Sequence, residues 1–348
     1  MPEAISILLA FGIAALAAVI LCRLVIFLRI MDAPTEARKT QKAPTPSAGG
    51  LGMALAAAIA IVSIAVLTGW PLDTTNIVIS AGGLACLALG LADDTLHVPA
   101  LAKLLLLLAI TLGMTLAGAR ADVLEAWPDA VLNLPMALAV AGSIVWLIVL
   151  INAVNFMDGA NGLSMGMAAI AAAGLAAVSA LIGVWDIALL AAALSGAIGG
   201  FLVWNVPGKL FVGDTGALFV GAVLGGLCLE LVRLRPDLLF VPPILAMPFL
   251  SDVLLTLAWR AKHGKKLFEA HRDHAYQIAI KGGLKHWQVA TIHAVWALNA
   301  AAIAIIAGVV GGQVPLLAFL VLLLVSTWLH IWVRRVGVKA GLVGVDIP

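Results

Sequence analysis

The chain has 348 residues, 63% of them hydrophobic and 11% charged, with a formal net charge of +2. A water-soluble domain carries roughly 25% charged residues, so this composition excludes a soluble globular protein, and no nucleic-acid partner is expected. Cys22, Cys86 and Cys228 each stand alone in an apolar stretch, which excludes a disulfide framework and a thiolate metal site.

Apolar runs occupy residues 4–31, 49–68, 77–92, 101–119, 135–151, 163–182, 187–203, 216–231, 239–259, 289–310 and 316–332. A helix crosses a bilayer with about 20 such residues, and helices satisfy their own backbone polar groups in lipid. The expected fold is therefore all-α: a polytopic bundle of about eleven transmembrane helices, with residues 1–348 as a single integral membrane domain. Runs six and seven are divided only by Gly183, Val184, Trp185 and Asp186. The first run has neither a basic flank nor a small-residue cleavage site and reads as a retained span.

Orientation follows from Lys and Arg in short connections. One set of connections holds Arg38, Lys39, Lys42, Lys103, Lys209, the seven basic residues from Arg260 to Lys285, Arg334, Arg335 and Lys339. The other holds only Arg120, Arg233 and Arg235. The first set is expected to be cytoplasmic in a bacterial inner membrane. The N-terminus is then periplasmic and the C-terminus cytoplasmic.

Five polar segments fall on the cytoplasmic side. Lys42-Ala-Pro44-Thr45-Pro46-Ser47-Ala-Gly49-Gly50 opens the second run; its glycines serve close backbone approach, to a ligand or to a neighbouring helix. Asp93-Asp94 ends the third run, with Lys103 opening the fourth. Adjacent carboxylates repel unless a cation or proton sits between them; the plainer reading is a charged helix stop. Asn152-Ala-Val-Asn155-Phe-Met-Asp158-Gly159-Ala-Asn161-Gly162 interrupts two runs with four amide or carboxylate side chains, more than a turn or cap requires.

Asn205-Val-Pro-Gly208-Lys209-Leu-Phe211-Val-Gly213-Asp214-Thr215-Gly216 leads directly into the eighth run. A glycine-rich entry to a helix N-terminus suits a phosphate. Lys209 is a cationic donor, Asp214 a hard oxygen ligand of the kind Mg²⁺ takes, and Phe211 a stacking surface or an interfacial anchor. The connection from Arg260 to Lys285 contains His271-Arg272-Asp273-His274-Ala-Tyr276-Gln277. His271 and His274 share a face if helical. No thiol accompanies them, so phosphate recognition fits the basic surroundings better than zinc. Asp252, inside the ninth run, is a functional candidate because acids in membrane spans are costly; a buried helix-helix hydrogen bond is the equal alternative.

In this order, the motifs Lys42…Thr45-Pro46…Gly49-Gly50, Asp93-Asp94…Lys103, Asn155…Asp158-Gly159, Lys209…Phe211…Gly213-Asp214…Gly216 and the His segment resemble those of the polyprenyl-phosphate N-acetylhexosamine-1-phosphate transferases. That superfamily includes the phospho-N-acetylmuramoyl-pentapeptide transferase of peptidoglycan synthesis. The resemblance covers essentially the whole chain. His271-Arg-Asp-His274 is similar to the O-antigen-initiating branch, while Asn161 stands where relatives commonly carry a second Asp.

The resemblance implies transfer of a HexNAc 1-phosphate from a UDP-N-acetylhexosamine to undecaprenyl phosphate within the lipid bilayer, with release of UMP. GlcNAc-1-phosphate and phospho-MurNAc-pentapeptide transfer are the alternatives within the superfamily. Asp93, Asp94 and Asp214 are the implied catalytic residues. Lys42, Lys103, Lys209, His271, Arg272 and His274 would cradle phosphates, and Asn155, Asp158, Asn161 and Phe211 would hold the uridine. Mg²⁺, with Mn²⁺ as the alternative ion, would be bound by Asp214 with Asn155 and Asp158. A homodimer is the one oligomer kept open. The rival from another class is a secondary transporter, but no internal repeat is visible and the acidic residues gather at one surface.

Overall fold

The computed structural model describes residues 3–28, 31–32, 45–71, 73–266 and 271–343. Lys42 lies outside the described residues. The helices are α1 (Glu3–Leu28), α2 (Gly49–Thr68), α3 (Thr74–Leu96), α4 (Ala100–Leu116), α5 (Met136–Phe156), α6 (Leu163–Leu181), α7 (Trp185–Asn205), α8 (Gly213–Leu234), the short α9 (Val241–Leu245), α10 (Met247–Lys262), α11 (Ala275–Lys281), α12 (His286–Val310) and α13 (Val314–Lys339). Strand pairing is confined, among the described residues, to β1 (Met31–Asp32) with β2 (Thr45–Pro46) and the hairpin of β3 (Val123–Glu125) and β4 (Val131–Asn133). The chain is an all-α, multi-pass membrane bundle.

Among the described residues nine helices are long and apolar enough to cross a membrane, and a tenth span results if α9 and α10 are counted together. The 17-residue α4 is shorter but equally apolar in character. The eleven apolar runs thus all become helical for most of their length, and two departures from the expected boundaries bear on the polar segments. Residues 239–259 do not form one straight span: the segment Pro236–Leu245 and α10 meet at 73°. Pro242, Pro243 and Pro248 cluster at the break, each removing an N–H donor and crowding the preceding turn. Helix α5 also continues past the expected end at residue 151 to Phe156, so Asn152 and Asn155 are helical. Asn152 returns its amide to the Ile148 carbonyl at 2.7 Å. Runs six and seven are two helices, divided by Gly183 with φ +79°.

Helices α7 and α8 form the centre and are covered on almost every side. Their small residues allow this. Gly196 and Gly200, one turn apart on α7, lie so close to the α1 backbone at Phe11 and Ala15 that a Cβ at either would collide with a carbonyl. Close backbone approach through small residues four apart is how helices associate in lipid, where no hydrophobic force separates helix from solvent. Helix α13 is peripheral and mostly apolar on its outer face. Cys22, Cys86 and Cys228 are buried and unpaired.

Candidate active site at the helix ends

The C-terminal end of α3 meets the N-terminal end of α8. A helix start leaves several N–H groups without intrahelical partners, and here a carboxylate from another helix supplies them. Asp94 accepts from the Asp214 N–H at 2.9 Å, the Thr215 N–H at 3.0 Å and the Thr215 hydroxyl at 2.6 Å. The negative charge also suits the positive end of the α8 dipole. Two glycines make the approach possible: a Cβ on Gly90 of α3 or Gly50 of α2 would strike the α8 backbone between Asp214 and Gly216.

Asp93, next in sequence, faces elsewhere. Its Oδ2 accepts from Lys103 Nζ at 2.8 Å, and the same ammonium ion-pairs with Asp214. The other Asp214 oxygen accepts from Asn155 Nδ2 at 2.8 Å. Asp93, Asp214, Lys103 and Asn155 therefore form one cluster from α3, α8, α4 and α5, each half-buried. Asp158, in the connection after α5, forms no hydrogen bond or ion pair through its carboxyl among the described residues. Burial, reinforced by the negative charges of Asp214 and Asp94, pushes its pKa well above the usual carboxylate range.

The loops beside the cluster are tied together. Asn205 accepts from the Gly162 N–H at 2.8 Å and donates to the Leu210 carbonyl at 3.0 Å, joining the Asp158–Asn161 turn to the Phe211 segment. Phe211 N–H donates to the Pro46 carbonyl at 2.8 Å and its own carbonyl accepts from Gly49 N–H at 3.1 Å. Asn161 reaches the bend at Gly208. Lys209 is exposed and its ammonium lies 5.7 Å from the Trp204 ring centroid, on the indole that Arg23 also covers at 5.6 Å. Among the described residues nothing links Lys209 to the carboxylates.

The His segment packs against the same turn. Tyr276 fills the space over Gly159 and donates from its hydroxyl to the Phe156 carbonyl at 3.2 Å. His271 and His274 stack with centroids 4.9 Å apart. Burial, with the neighbouring His274 and Arg260, lowers the His271 pKa to about 4, and its Nδ1 is buried with no hydrogen-bond partner among the described residues. Burial works against the Asp273 carboxylate, but Lys265 and Arg260 hold its pKa below the ordinary range. Arg272 is half-buried, its carbonyl accepting from Lys281 Nζ at 2.9 Å.

Several residues of the site were not assigned from sequence. Thr215 and Asn205 lie within the glycine-rich segment before α8, where only Lys209, Phe211 and Asp214 are given roles from sequence. Arg260 and Arg334 read as charges at span ends. In the fold, Arg260 ion-pairs with Asp273, and Arg334 donates to the Asp273 carbonyl and the Thr256 hydroxyl, both at 2.7 Å. Only Asp252 carried a signal, an acid inside an apolar run.

The multi-pass helical bundle thus gathers aspartates and a lysine around a glycine-rich helix start, with the His segment packed against the neighbouring Phe156–Gly159 turn. Residues 76–232 match Glycosyl transferase family 4, a stretch that includes Asp93, Asp94, Lys103, Asn155, Asp158, Lys209, Phe211 and Asp214 but not the His segment. The phospho-N-acetylmuramoyl-pentapeptide-transferase of Kocuria rhizophila is 28% identical over 312 residues, 75% of this chain and 80% of the relative. Those of Bacillus pumilus and Bacillus subtilis are each 34% identical over 140 residues, 40% of this chain and 42% of each relative. The match thus spans four fifths of the Kocuria protein but about two fifths of the Bacillus ones. Residues 76–232 thus carry a match to glycosyl transferase family 4, and the chain is similar to the polyprenyl-phosphate N-acetylhexosamine-1-phosphate transferases.

Proposed function

We propose that the chain transfers a HexNAc 1-phosphate from a UDP-sugar to undecaprenyl phosphate at the cytoplasmic face of a bacterial inner membrane. In this reading it initiates a lipid-linked, O-antigen-like polysaccharide. The observation that carries the proposal is the convergence of Asp93, Lys103, Asn155 and Asp214 at the start of α8, with Asp158, unpaired among the described residues, beside them. The pattern His271-Arg-Asp-His274 supports the branch, and the one-sided Lys and Arg distribution supports the orientation.

A phosphate oxygen of the carrier attacks the β-phosphorus of the donor, a new P–O bond forms, and the bond from that phosphorus to the bridging oxygen breaks as UMP leaves. Such chemistry depends mainly on positioning and charge stabilisation. Asp93 orients the carrier phosphate or takes its remaining proton; a phosphate monoester has a second pKa of about 6, so little basicity is required. Lys103, held between two carboxylates, supplies positive charge to the transferred phosphate. The stacked histidines, one with a buried nitrogen unpartnered among the described residues, meet the diphosphate oxygens. The turn from Asn155 to Asn161 and the ring of Phe211 hold the uridine.

The donor set fits Mg²⁺ in a particular way. No group of three or more carboxylate, thiol or imidazole side chains surrounds a common point among the described residues, and Asn155 points its amide nitrogen at Asp214. Mg²⁺ is commonly bound by one or two carboxylates together with substrate phosphates, and Asp214, with Asp158 and Asn155 nearby, provides for that arrangement. When bound, the ion neutralises the diphosphate and stabilises the leaving UMP.

The test is transfer of labelled sugar phosphate from a panel of UDP-HexNAc donors into extractable lipid, using membranes that contain the chain. Asp214→Asn is expected to abolish transfer while the protein remains folded, because it keeps the size and removes the charge. Turnover within about threefold of wild type at saturating Mg²⁺ would remove the metal-ligand assignment. The names of the relatives favour a second reading, phospho-MurNAc-pentapeptide transfer; label from UDP-MurNAc-pentapeptide alone would establish it.

A further inference from the structure

Asp252 sits on α10, buried at 5% exposure, and belongs to no part of the carboxylate cluster. Its partners across the fold lie at the start of α11. One carboxylate oxygen accepts from the Ala275 N–H at 2.9 Å and lies 3.3 Å from His274 Nδ1; the other accepts from the Tyr276 N–H at 3.1 Å. The Thr256 hydroxyl, one turn further along α10, donates to it at 3.2 Å. Asp252 is thus a helix cap supplied across the fold, and it takes two of the N–H groups that α11 leaves open.

This contact also selects between the two nitrogens of a buried imidazole. A carboxylate accepts only, so Nδ1 of His274 must carry the proton in that hydrogen bond. Nε2 forms no hydrogen bond among the described residues, although the side chain is only 4% exposed. The ring is held on its faces as well: His271 stacks at 4.9 Å and Tyr276 at 5.9 Å between centroids. The other groups facing the pair are Arg334, His330 and Arg260, and each is engaged elsewhere, with His330 accepting from Arg334 at 2.7 Å.

We propose that Asp252 is a positioning residue for the transfer: it fixes the start of α11 and the tautomer of His274, leaving Nε2 as the ring nitrogen open to an oxygen of the donor diphosphate. The role of that oxygen rests on the proposed function; the tautomer does not. A carboxylate behind an imidazole sets the ring's orientation in metal and catalytic sites by the same means.

The full chain, labelled with ¹⁵N-histidine and embedded in phosphatidylglycerol nanodiscs, provides the test by solid-state NMR. The His274 signal is identified by its loss in His274→Gln. At pH 8.5 Nδ1 of His274 is expected to carry a proton in wild type and to lose that preference in Asp252→Ala. Asp252→Asn, which keeps an oxygen but offers one acceptor where two are used, is expected to lower kcat/KM for the donor about 10- to 100-fold. A wild-type ring unprotonated at Nδ1 overturns the proposal and needs no variant to fold. An unchanged Nδ1 signal in Asp252→Ala, or wild-type kcat/KM in Asp252→Asn, overturns it too. A wild-type chain that transfers no sugar phosphate, yet shows the Nδ1 proton, would refute the enzymatic reading and leave the positioning contact standing.

Discussion

His271 shows how one side chain's surroundings choose its role. Burial keeps its pKa near 4, so at neutral pH the ring is uncharged and offers a single N–H. A hydrogen bond to a charged oxygen contributes about 1.5–3 kcal/mol. His271→Ala should therefore lower kcat/KM for the UDP-sugar roughly 10- to 150-fold, and His271→Gln, which keeps a donor, should recover part of it. A solvated-surface role predicts no change in either variant. The same shift has a stability consequence of known sign. The unfolded chain takes up the proton at about 6.5 and the folded chain only near 4. The contribution is intact above 6.5 and is lost as pH falls toward 4. Thermal unfolding followed from pH 7.5 to 4.5 should decline more steeply in wild type than in His271→Gln.

At the scale of elements, the break before α10 and the last helix α13 act on the same segment. The prolines at the break turn α10 so that Asp252, Thr256 and Arg260 all face the His segment. Arg334 of α13 completes the attachment, reaching Thr256 and the Asp273 carbonyl from the far side while its guanidinium lies 4.5 Å from the Trp259 ring centroid. Arg334→Met removes a buried cation that satisfies three acceptors. The expected result is a His segment cut faster by protease between residues 262 and 275, with transfer reduced at least about tenfold. The Asp93–Lys103–Asp214 cluster is untouched by this change. Transfer and cleavage rates equal to wild type would show that α13 plays no part in holding the segment.

For the whole molecule, the charge distribution predicts which end faces the cytoplasm. The native cysteines are buried, so an introduced cysteine is the reactive one. Lys262→Cys, at the exposed end of α10, should react with a membrane-impermeant thiol reagent only when the cytoplasmic side is opened. Thr74→Cys, exposed at the start of α3, should react from outside in intact spheroplasts. Labelling of both from one side would break the alternation of spans on which the cytoplasmic active site rests.

The sequence by itself determined the solvent, the helices and the polar segments at their ends, because these are local properties. Apolar runs bounded by Gly, Pro, Asn and Asp leave a helix in lipid as the one way to satisfy the backbone. The clustering of Asp93-Asp94, Asn155…Asp158 and Gly213-Asp214 at run ends was legible for the same reason. What only the tertiary structure decided is which of these groups meet. Asp93 and Asp94 are neighbours in sequence but about 100° apart around α3, so one reaches Lys103 and the other caps α8. Lys209 lies against Trp204 although its motif suggested a phosphate cradle, since the bend at Gly208 sets its direction. The partnership of Asp252 with residues 22 to 24 positions later needed the proline break and the return of the chain through α11. Such pairings depend on where helices end and at what angle they cross, and no local pattern of residues contains that information.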